Sequence, residues 1–432
     1  MKNRKTIHFI TLGCSKNLVD SEHLMKQIEY SGYQVTHNSE NIQSGIVIIN
    51  TCGFIRDAKQ ESIDTILEFA EAKLQGKIQN LYVIGCLSEL YKDELKNEIS
   101  EVDQFFGVNS FEEILKNLGI GLHKEMLSDR FQTTPKHFAY LKISEGCDRS
   151  CAFCTIPVIR GKHISLSIEE LKEEAHRLSN QGVKELILIA QDLTYYGLDL
   201  YKERKLATLL EELVKIEGIE WIRLHYAYPH KFPVDVIDVM KKYPKVCRYL
   251  DIPFQHISDS VLQHMHRGNN RLQTIELIEK LRTELPGIAI RTTLLVGHPG
   301  ETESDFIQLL DFVKETKFER LGVFPYSHEE KSFAYSNYED EVSEDIKKYR
   351  VETLMKTQRQ ISEGINREKI GQSYKVMIDR REGDFFIGRT EFDSPEVDNE
   401  VLVAVSNNIS IGNFYQVKIT DANEYDLLGC VI

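Results

Sequence analysis

The stretch Glu145-Gly146-Cys147-Asp148-Arg149-Ser150-Cys151-Ala152-Phe153-Cys154 places three cysteines at a C-x3-C-x2-C spacing, directly after an apolar run at residues 138–143. Cysteine thiolates are the usual ligands of a 4Fe–4S cluster, which contains four irons. Three thiolates from one loop leave the fourth iron open, and a substrate can chelate an open iron. The spacing therefore predicts a cluster at which chemistry takes place, on a loop that follows a buried strand.

A structural zinc site is the alternative for this loop, because zinc is also bound by thiolates in proteins. Zinc motifs usually combine two pairs of ligands, each with a spacing like C-x2-C. This loop instead supplies three cysteines with two unequal spacings. The loop thus favours an iron–sulfur cluster over zinc.

Composition excludes several classes of protein. The 432 residues carry 53 Lys and Arg against 67 Asp and Glu, and a net charge of −14 is not that of a general nucleic-acid binder. No apolar run approaches the roughly 18 residues that span a bilayer. Residues 6–14 faintly resemble the end of a lipoprotein signal, but the apolar part is short and His8 interrupts it. We expect a cytoplasmic protein whose eight cysteines stay reduced.

Three further cysteines follow three predicted strands near the N-terminus. The predicted strands are 7–12, 45–49 and 81–84, each followed by a helical pattern. Cys14, Cys52 and Cys86 each lie just beyond the end of one strand. Because parallel strands end at one edge of their sheet, the three thiols should meet there and form a second metal site. Three inert core cysteines are the alternative.

Strand and helix patterns continue after a predicted linker around Pro135. The predicted strands are 138–143, 185–190, 220–225, 248–252, 288–295 and 320–324. Six strand–helix units predict a partial (β/α)6 barrel, with its active face at the carboxyl ends of the strands. A charged helix at about 344–369 should follow.

Short β runs separated by glycines and Asn/Asp clusters end the sequence. They lie at 374–378, 385–387, 401–405, 414–419 and 427–432. They predict a small antiparallel barrel. Residues 371–432 hold five Lys and Arg against eleven Asp and Glu, so a phosphate backbone is not the expected ligand of this barrel. Overall, we predict an α/β protein with domains at 5–125, 133–367 and 368–432.

The whole chain resembles the methylthiotransferases of the radical S-adenosylmethionine superfamily. The motifs that carry the resemblance, besides the Cys147 loop, are Thr11-Leu12-Gly13-Cys14-Ser15-Lys16-Asn17, Asn50-Thr51-Cys52-Gly53-Phe54-Ile55 and Gly85-Cys86-Leu87. The resemblance implies a methylthiotransferase domain, a radical S-adenosylmethionine barrel and a C-terminal TRAM barrel, in that order.

Two branches of this family differ in substrate. The branch that modifies an adenosine of transfer RNA usually reads G-C-Q-M-N, whereas residues 13–17 here read Gly-Cys-Ser-Lys-Asn. This and the stretch Ile143-Ser144-Glu145-Gly146-Cys147 are similar to the branch that modifies an aspartate of small-subunit ribosomal protein twelve. The acidic barrel agrees, since ribosomal proteins are basic. Methylthiolation of transfer RNA and a non-enzymatic iron–sulfur sensor are the alternatives.

The resemblance also implies cofactors. Cys147, Cys151 and Cys154 would hold one 4Fe–4S cluster that binds S-adenosylmethionine and cleaves it to a radical. An auxiliary 4Fe–4S cluster on the three N-terminal cysteines would carry the sulfur to be transferred. The implied partners are the ribosomal protein, free or in the ribosome, together with an electron donor and a sulfur source.

Five further residues are candidate contacts of S-adenosylmethionine: Phe153, Arg160, Gln191, Asp192 and Gly297. Phe153 precedes the last cysteine, as aromatic residues do in this superfamily. Arg160 could bind a carboxylate in bidentate fashion, and a surface arginine is the alternative. For Gln191 and Asp192, after the second barrel strand, the alternative is a helix N-cap or a turn aspartate. Gly297 begins a turn like that of the family near adenine, and a plain strand–helix connection is the alternative.

Overall fold

The structure is a computed structural model that describes residues 6–39, 42, 45–405 and 408–432. Residue 5, the predicted start of the first domain, lies outside this range. The chain forms two compact units. One contains Met1–Thr134, Tyr140–Arg149 and Cys154–Arg177, and the other contains Pro135–Ala139, Ser150–Phe153 and Leu178–Ile432.

The first unit is organised around a five-stranded parallel sheet with the order β2-β1-β3-β4-β5. Its elements are β1 (Thr6–Thr11), α1 (Ser15–Tyr30), β2 (Gln34–His37), β3 (Ile46–Thr51), α2 (Arg56–Leu74), β4 (Asn80–Gly85), α3 (Cys86–Glu98), β5 (Gln104–Phe105), α4 (Phe111–Asn117) and a 3-10 turn at Lys124–Met126. The three predicted strands and the helices after them are confirmed. The edge strands β2 and β5 were not predicted, because one is short and polar and the other has two residues.

Both faces of this sheet are covered, which explains why its central strands β3 and β4 are mostly apolar. All six residues of β3 are buried. Ile46 and Ile48 pack into one hydrophobic core with α1, whereas Val47 and Ile49 pack into a second core with α2. This alternation is the two-residue period of a strand, so each face of the sheet has its own core.

The chain continues through short elements that carry the cysteine loop. They are β6 (Phe138–Lys142), β7 (Ser144–Glu145), α5 (Ile156–Arg160), β8 (Ile164–Ser165) and α6 (Ile168–Asn180). The two short strands pair with each other in antiparallel fashion, on either side of the loop.

A second sheet has six strands in the order β13-β12-β11-β10-β9-β6. Its strands β9 to β13 belong to the second unit. The elements after α6 are β9 (Glu185–Ile189), a 3-10 turn at Leu193–Tyr195, α7 (Leu206–Leu213), β10 (Trp221–Leu224), α8 (Asp235–Lys242), β11 (Val246–Asp251), α9 (Asp259–His264), α10 (Arg271–Glu284), β12 (Ala289–Val296), α11 (Glu303–Thr316), β13 (Arg320–Pro325), α12 (Phe333–Asn337) and α13 (Glu344–Glu368). Strands β9 to β13 pair in parallel and follow chain order. This is the succession of six strands that the sequence predicts.

The C-terminal strands close into a five-stranded barrel. They are β14 (Ser373–Glu382), β15 (Phe385–Thr390), β16 (Glu400–Ala404), β17 (Phe414–Ala422) and β18 (Asp426–Val431). The predicted barrel is confirmed with one difference, because β16 and β18 pair in parallel while the other neighbours are antiparallel.

A buried ion-pair network links this barrel to the six-stranded sheet within the second unit. Glu185 of β9 pairs with Arg223 of β10 at 2.8 Å and with Arg389 of β15 at 2.5 Å. Arg389 also contacts Asp379 of β14 at 2.9 Å. The side chains of Glu185, Arg223 and Arg389 are almost completely buried, so each charge depends on the others for compensation.

Across the described ranges, no helix has an apolar segment long enough to cross a membrane.

Candidate functional site

Cys14, Cys52 and Cys86 lie at one edge of the first sheet, as predicted. Cys14 follows β1 and caps α1, Cys52 follows β3, and Cys86 begins α3 directly after β4. The three strands are neighbours, and their carboxyl ends are in register, with Thr11 opposite Asn50 and Thr51 opposite Gly85. The fold therefore brings the three cysteines to the same edge.

The three thiols also affect one another electrostatically. Burial raises the pKa of the Cys86 thiol to about 12, and charges on Cys14 and Cys52 add to the rise. Burial and Cys14 likewise raise the pKa of Cys52. In the part of the chain that the structure describes, no three His, Cys, Asp or Glu side chains form a ready site for a metal ion. The donors are nevertheless three thiols at one edge, a set whose softness suits an iron–sulfur cluster.

Gly13 allows the backbone beside Cys14 to lie close to the side chain of Cys52. Its φ is +87°, and a Cβ at this position would lie 2.7 Å from the Cβ and 3.0 Å from the Sγ of Cys52. A side chain here would meet both a disfavoured backbone conformation and a steric clash with a candidate ligand.

We expect Gly13→Ala to lower the free energy of unfolding by about 1–3 kcal/mol, as a strained backbone does, and to reduce iron bound by the chain after reconstitution. Chemical denaturation and an iron assay measure the two effects. Gly32→Ala is the matched control, because Gly32 has a φ of +90° and no atom of the described residues lies within 4 Å of where its Cβ would stand. Equal iron content in both variants would contradict this prediction.

The buried side chain of Asn17 holds the edge together. Its Nδ2 donates to the carbonyl oxygens of Leu12 and Thr51, each at 3.0 Å, and so connects the ends of β1 and β3. Its Oδ1 accepts a hydrogen bond from the Cys86 thiol at 3.6 Å. Asn17 belongs to a motif quoted from the sequence, but its role is visible only in the fold.

Arg160 is buried rather than at the surface, which makes the surface alternative wrong. Its guanidinium contacts two carboxylates of the protein itself, Asp20 at 2.7 Å and Glu145 at 3.0 Å. Burial would raise the pKa of Asp20, but Lys142 and Arg160 outweigh burial and lower it to about 2. Arg160 also donates to the Sγ of Cys86 at 3.5 Å.

The cysteine loop follows β6 and β7. The backbone N–H of Cys147 donates to the carbonyl of Gly161 at 3.1 Å, and the N–H of Arg149 donates to the Cys147 Sγ at 3.4 Å. A cavity of about 200 Å³ opens here, lined by Cys147, Asp148, Arg149, Pro157, Gly161 and Lys162. Cys147, Cys151 and Cys154 are all partly accessible, as ligands of a cluster that meets a substrate must be.

Cys151 has two neighbours that the sequence did not predict. The hydroxyl of Tyr228 lies 3.6 Å from its Sγ, and Nη1 of Arg267 lies 3.4 Å from it. The guanidinium of Arg267 stacks 4.2 Å above the Tyr228 ring, and the Tyr228 hydroxyl donates to the Arg267 carbonyl at 2.7 Å. Tyr228 lies just beyond β10, at a strand end where function is expected, and this position is the signal that could have identified it.

The remaining candidate contacts lie in the second unit. Phe153 packs beside a core that contains Ala152, and its ring meets His298 edge-on at 6.4 Å. The Asp192 carboxylate accepts from the backbone N–H of Thr194 at 2.8 Å, so Asp192 makes the capping bond that was the alternative. Gln191 precedes it after β9. No contact with S-adenosylmethionine follows from these bonds.

Gly297 follows β12 with a φ of +78°. Its N–H donates to the buried carboxylate of Glu301 at 2.5 Å, and a Cβ at this position would overlap Cγ of Lys347. Burial raises the pKa of Glu301 to about 7, against the lowering effect of Arg350. Only glycine fits this turn, whether or not it also contacts a ligand.

Comparison with known protein families gives three matches along the chain. Residues 141–313 match the Radical SAM superfamily, residues 6–107 match the uncharacterized protein family UPF0004, and residues 370–432 match the TRAM domain. The chain is thus a radical S-adenosylmethionine enzyme, a class that uses an iron–sulfur cluster and S-adenosylmethionine.

Curated relatives narrow the class. The chain is 55% identical to the ribosomal protein uS12 methylthiotransferase RimO of Bacteroides thetaiotaomicron, over 99% of both chains. It is 56% identical to RimO of Flavobacterium psychrophilum, over 99% of this chain and 98% of the relative. RimO of Cytophaga hutchinsonii is 53% identical, over 100% of this chain and 99% of the relative. The chain belongs to the RimO family of methylthiotransferases.

Solved structures share the fold at low identity. The radical S-adenosylmethionine methyltransferase TsrM of Kitasatospora setae, solved with tryptophan and an S-adenosylmethionine analogue, has a TM-score of 0.53 and 14% identity, over 74% of this chain and 72% of its own. The cobalamin-dependent radical enzyme OxsB has a TM-score of 0.52 and 13% identity, over 82% of this chain and 56% of its own. Both support the architecture alone.

Proposed function

We propose that this chain is a radical S-adenosylmethionine methylthiotransferase that adds a methylthio group to the β-carbon of an aspartate in ribosomal protein uS12. The observation that carries the proposal is identity above half of all positions, over essentially the whole length, with relatives named for this activity. The choice of an aspartate and of its β-carbon rests on the motif resemblance to one branch of the family.

Two cysteine sets would hold two 4Fe–4S clusters. Cys147, Cys151 and Cys154 would bind the cluster of the radical reaction, and Cys14, Cys52 and Cys86 would bind the auxiliary one. When bound, the first supplies the electron that cleaves S-adenosylmethionine and the second supplies the sulfur. The proposed division into domains at 5–125, 133–367 and 368–432 is supported by family matches that fall within these ranges.

The residues around each set have distinct tasks in this proposal. Tyr228 and Arg267 fix the position of Cys151 and give its sulfur two hydrogen-bond partners. The aromatic edge of Phe153 against His298 helps to exclude water beside the loop. Gln191, Asp192 and Gly297 remain predicted contacts of S-adenosylmethionine, because they lie at the carboxyl ends of β9 and β12.

The partners follow from the reaction. A reductive cleavage needs an electron donor, and repeated transfer of sulfur needs a sulfur source. Ribosomal protein uS12, free or in the ribosome, is the proposed substrate, and its location makes the cytoplasm the proposed compartment. The acidic C-terminal barrel suits a basic protein partner better than a nucleic acid.

A competition assay tests the substrate. The purified chain, reconstituted with iron and sulfide under anaerobic conditions, receives S-adenosylmethionine, a strong reductant, a peptide of the uS12 loop and bulk transfer RNA. Mass spectrometry should show a methylthio gain on the peptide aspartate and none on nucleosides.

A peptide with asparagine in place of the aspartate is the matched control, and it should remain unmodified. A methylthio gain on transfer RNA alone would support the proposed methylthiolation reaction but contradict the proposed uS12 substrate. An absence of deoxyadenosine would overturn the radical reaction itself, in favour of a sensor.

A further inference from the structure

Arg160 occupies an unusual position for a residue six places after Cys154. It ends α5, and its side chain is almost fully buried in the first unit. The preceding Ile159 packs against Cys86 and Leu90 of α3. The helix that follows the cysteine loop therefore delivers a guanidinium to the other set of thiols.

The contacts of this guanidinium converge on Cys86. Nη2 donates to the Sγ of Cys86 at 3.5 Å and to Oδ1 of Asn17. The same Oδ1 accepts from the Cys86 thiol, so Asn17, Arg160 and Cys86 form a closed triangle. If Cys86 becomes a thiolate ligand, it loses its proton and can only accept hydrogen bonds. Arg160 then remains its charged donor, whereas Asn17 Oδ1 no longer has a proton to accept from the sulfur.

The charges around Arg160 leave it able to compensate a thiolate. Nη1 contacts Asp20 at 2.7 Å and Glu145 at 3.0 Å. Lys142 contacts the same two carboxylates, at 2.7 Å from Glu145. Two cations thus face two carboxylates, and a thiolate on Cys86 adds a negative charge beside the guanidinium. Because the site is buried, the attraction between this thiolate and the guanidinium is stronger than it would be in water.

We infer that Arg160 is a positioning residue of the proposed auxiliary cluster, which it serves by donating an N–H···S hydrogen bond to Cys86 and by compensating the charge of that thiolate. The inference rests on the proposed function, because it requires Cys86 to be a cluster ligand. Hydrogen bonds to the sulfurs and the local net charge set the reduction potential of an iron–sulfur cluster. A donor and a positive charge favour the reduced, more negative cluster, so Arg160 should raise the potential.

The experiment isolates the auxiliary cluster in a full-length chain in which Cys147, Cys151 and Cys154 are replaced by serine. In this background we compare Arg160→Gln, Arg160→Lys and Asp20→Asn by iron content and by redox titration followed by electron paramagnetic resonance. Arg177→Gln is the matched control, since Glu173 is the one ion-pair partner of Arg177 among the described residues, on the surface of the same unit.

We expect the reduction potential to shift in opposite directions in Arg160→Gln and Asp20→Asn. Arg160→Gln should lower the reduction equilibrium constant about tenfold, which is about 59 mV for a one-electron couple. Asp20→Asn removes a negative charge and should raise the reduction potential. The potential of Arg160→Lys should lie between those of the parent and Arg160→Gln. The potential of Arg177→Gln should equal that of the parent. A role limited to folding would reduce the iron content of the variants without shifts of opposite sign.

Each result has one meaning. If the parent binds no cluster, the proposed auxiliary site is wrong. If the parent binds one and Arg160→Gln binds one at an unchanged potential, the inference about Arg160 is wrong while the proposed function stands. If Arg160→Gln cannot be loaded, the sign of the Asp20→Asn shift decides, and a downward or absent shift overturns the inference.

Discussion

Cys52→Ala should abolish methylthiolation of ribosomal protein uS12 while reductive cleavage of S-adenosylmethionine continues. Cys52 lies between Cys14 and Cys86 at the edge of the first sheet, on the central of the three neighbouring strands. Its loss leaves two thiols for the auxiliary cluster and no change in the cysteine loop. We expect product to fall below detection, and deoxyadenosine to form without coupling to product.

Iron content and mass spectrometry separate this result from misfolding. Cys52→Ala should retain about half of the iron of the parent chain, because one of two clusters remains. Cys430→Ala is the matched control, since Cys430 is exposed in the barrel and should leave iron and product unchanged. Product from Cys52→Ala at the parent level would show that the three N-terminal cysteines do not hold the sulfur-carrying cluster.

Cys154→Ala should have a broader effect and remove both activities. Without its thiolate the loop keeps two ligands, so neither deoxyadenosine nor methylthiolated peptide should form above background. About half of the iron should again remain, now at the N-terminal set. Liquid chromatography of the nucleoside and mass spectrometry of the peptide measure the two losses in one reaction.

The pair of variants gives a pattern that neither gives alone. Loss of product with cleavage retained in Cys52→Ala, and loss of both in Cys154→Ala, assigns separate tasks to the two sets. Cys247→Ala serves as a buried control, because Cys247 packs in a core with Trp221 and Tyr249. Cleavage that survives in Cys154→Ala would contradict the assignment of the radical reaction to this loop.

The sequence predicts those features whose signal is local. The apolar runs of β3 and β4 are continuous, that of β1 is interrupted only by His8, and a cysteine follows each strand within three residues. The sheet edge could therefore be predicted from the sequence. The predicted ends of the six strands in the second sheet lie within two residues of the observed ends, because these strands also form apolar runs. Edge strand β5 has two residues and leaves no periodic pattern.

Contacts between distant residues were beyond this kind of prediction. Arg160 was expected to bind a ligand carboxylate, yet its partners include Asp20, which lies 140 residues away. Arg267 lies 116 residues from Cys151, and nothing in the residues around it marks the contact. Such pairs arise from tertiary packing, and no local pattern in a single sequence predicts them.

The ion pairs of Glu185 restrict how this protein can be recombined with its relatives. A chimera that replaced the barrel at about residue 370 would keep Glu185 and Arg223 and import whatever residue stands in place of Arg389. Leaving a buried charge without its partner costs on the order of 3–5 kcal/mol, a large part of the stability of a typical domain. A donor barrel is therefore compatible with this chain only if its strand equivalent to β15 supplies a cation to Glu185 of β9.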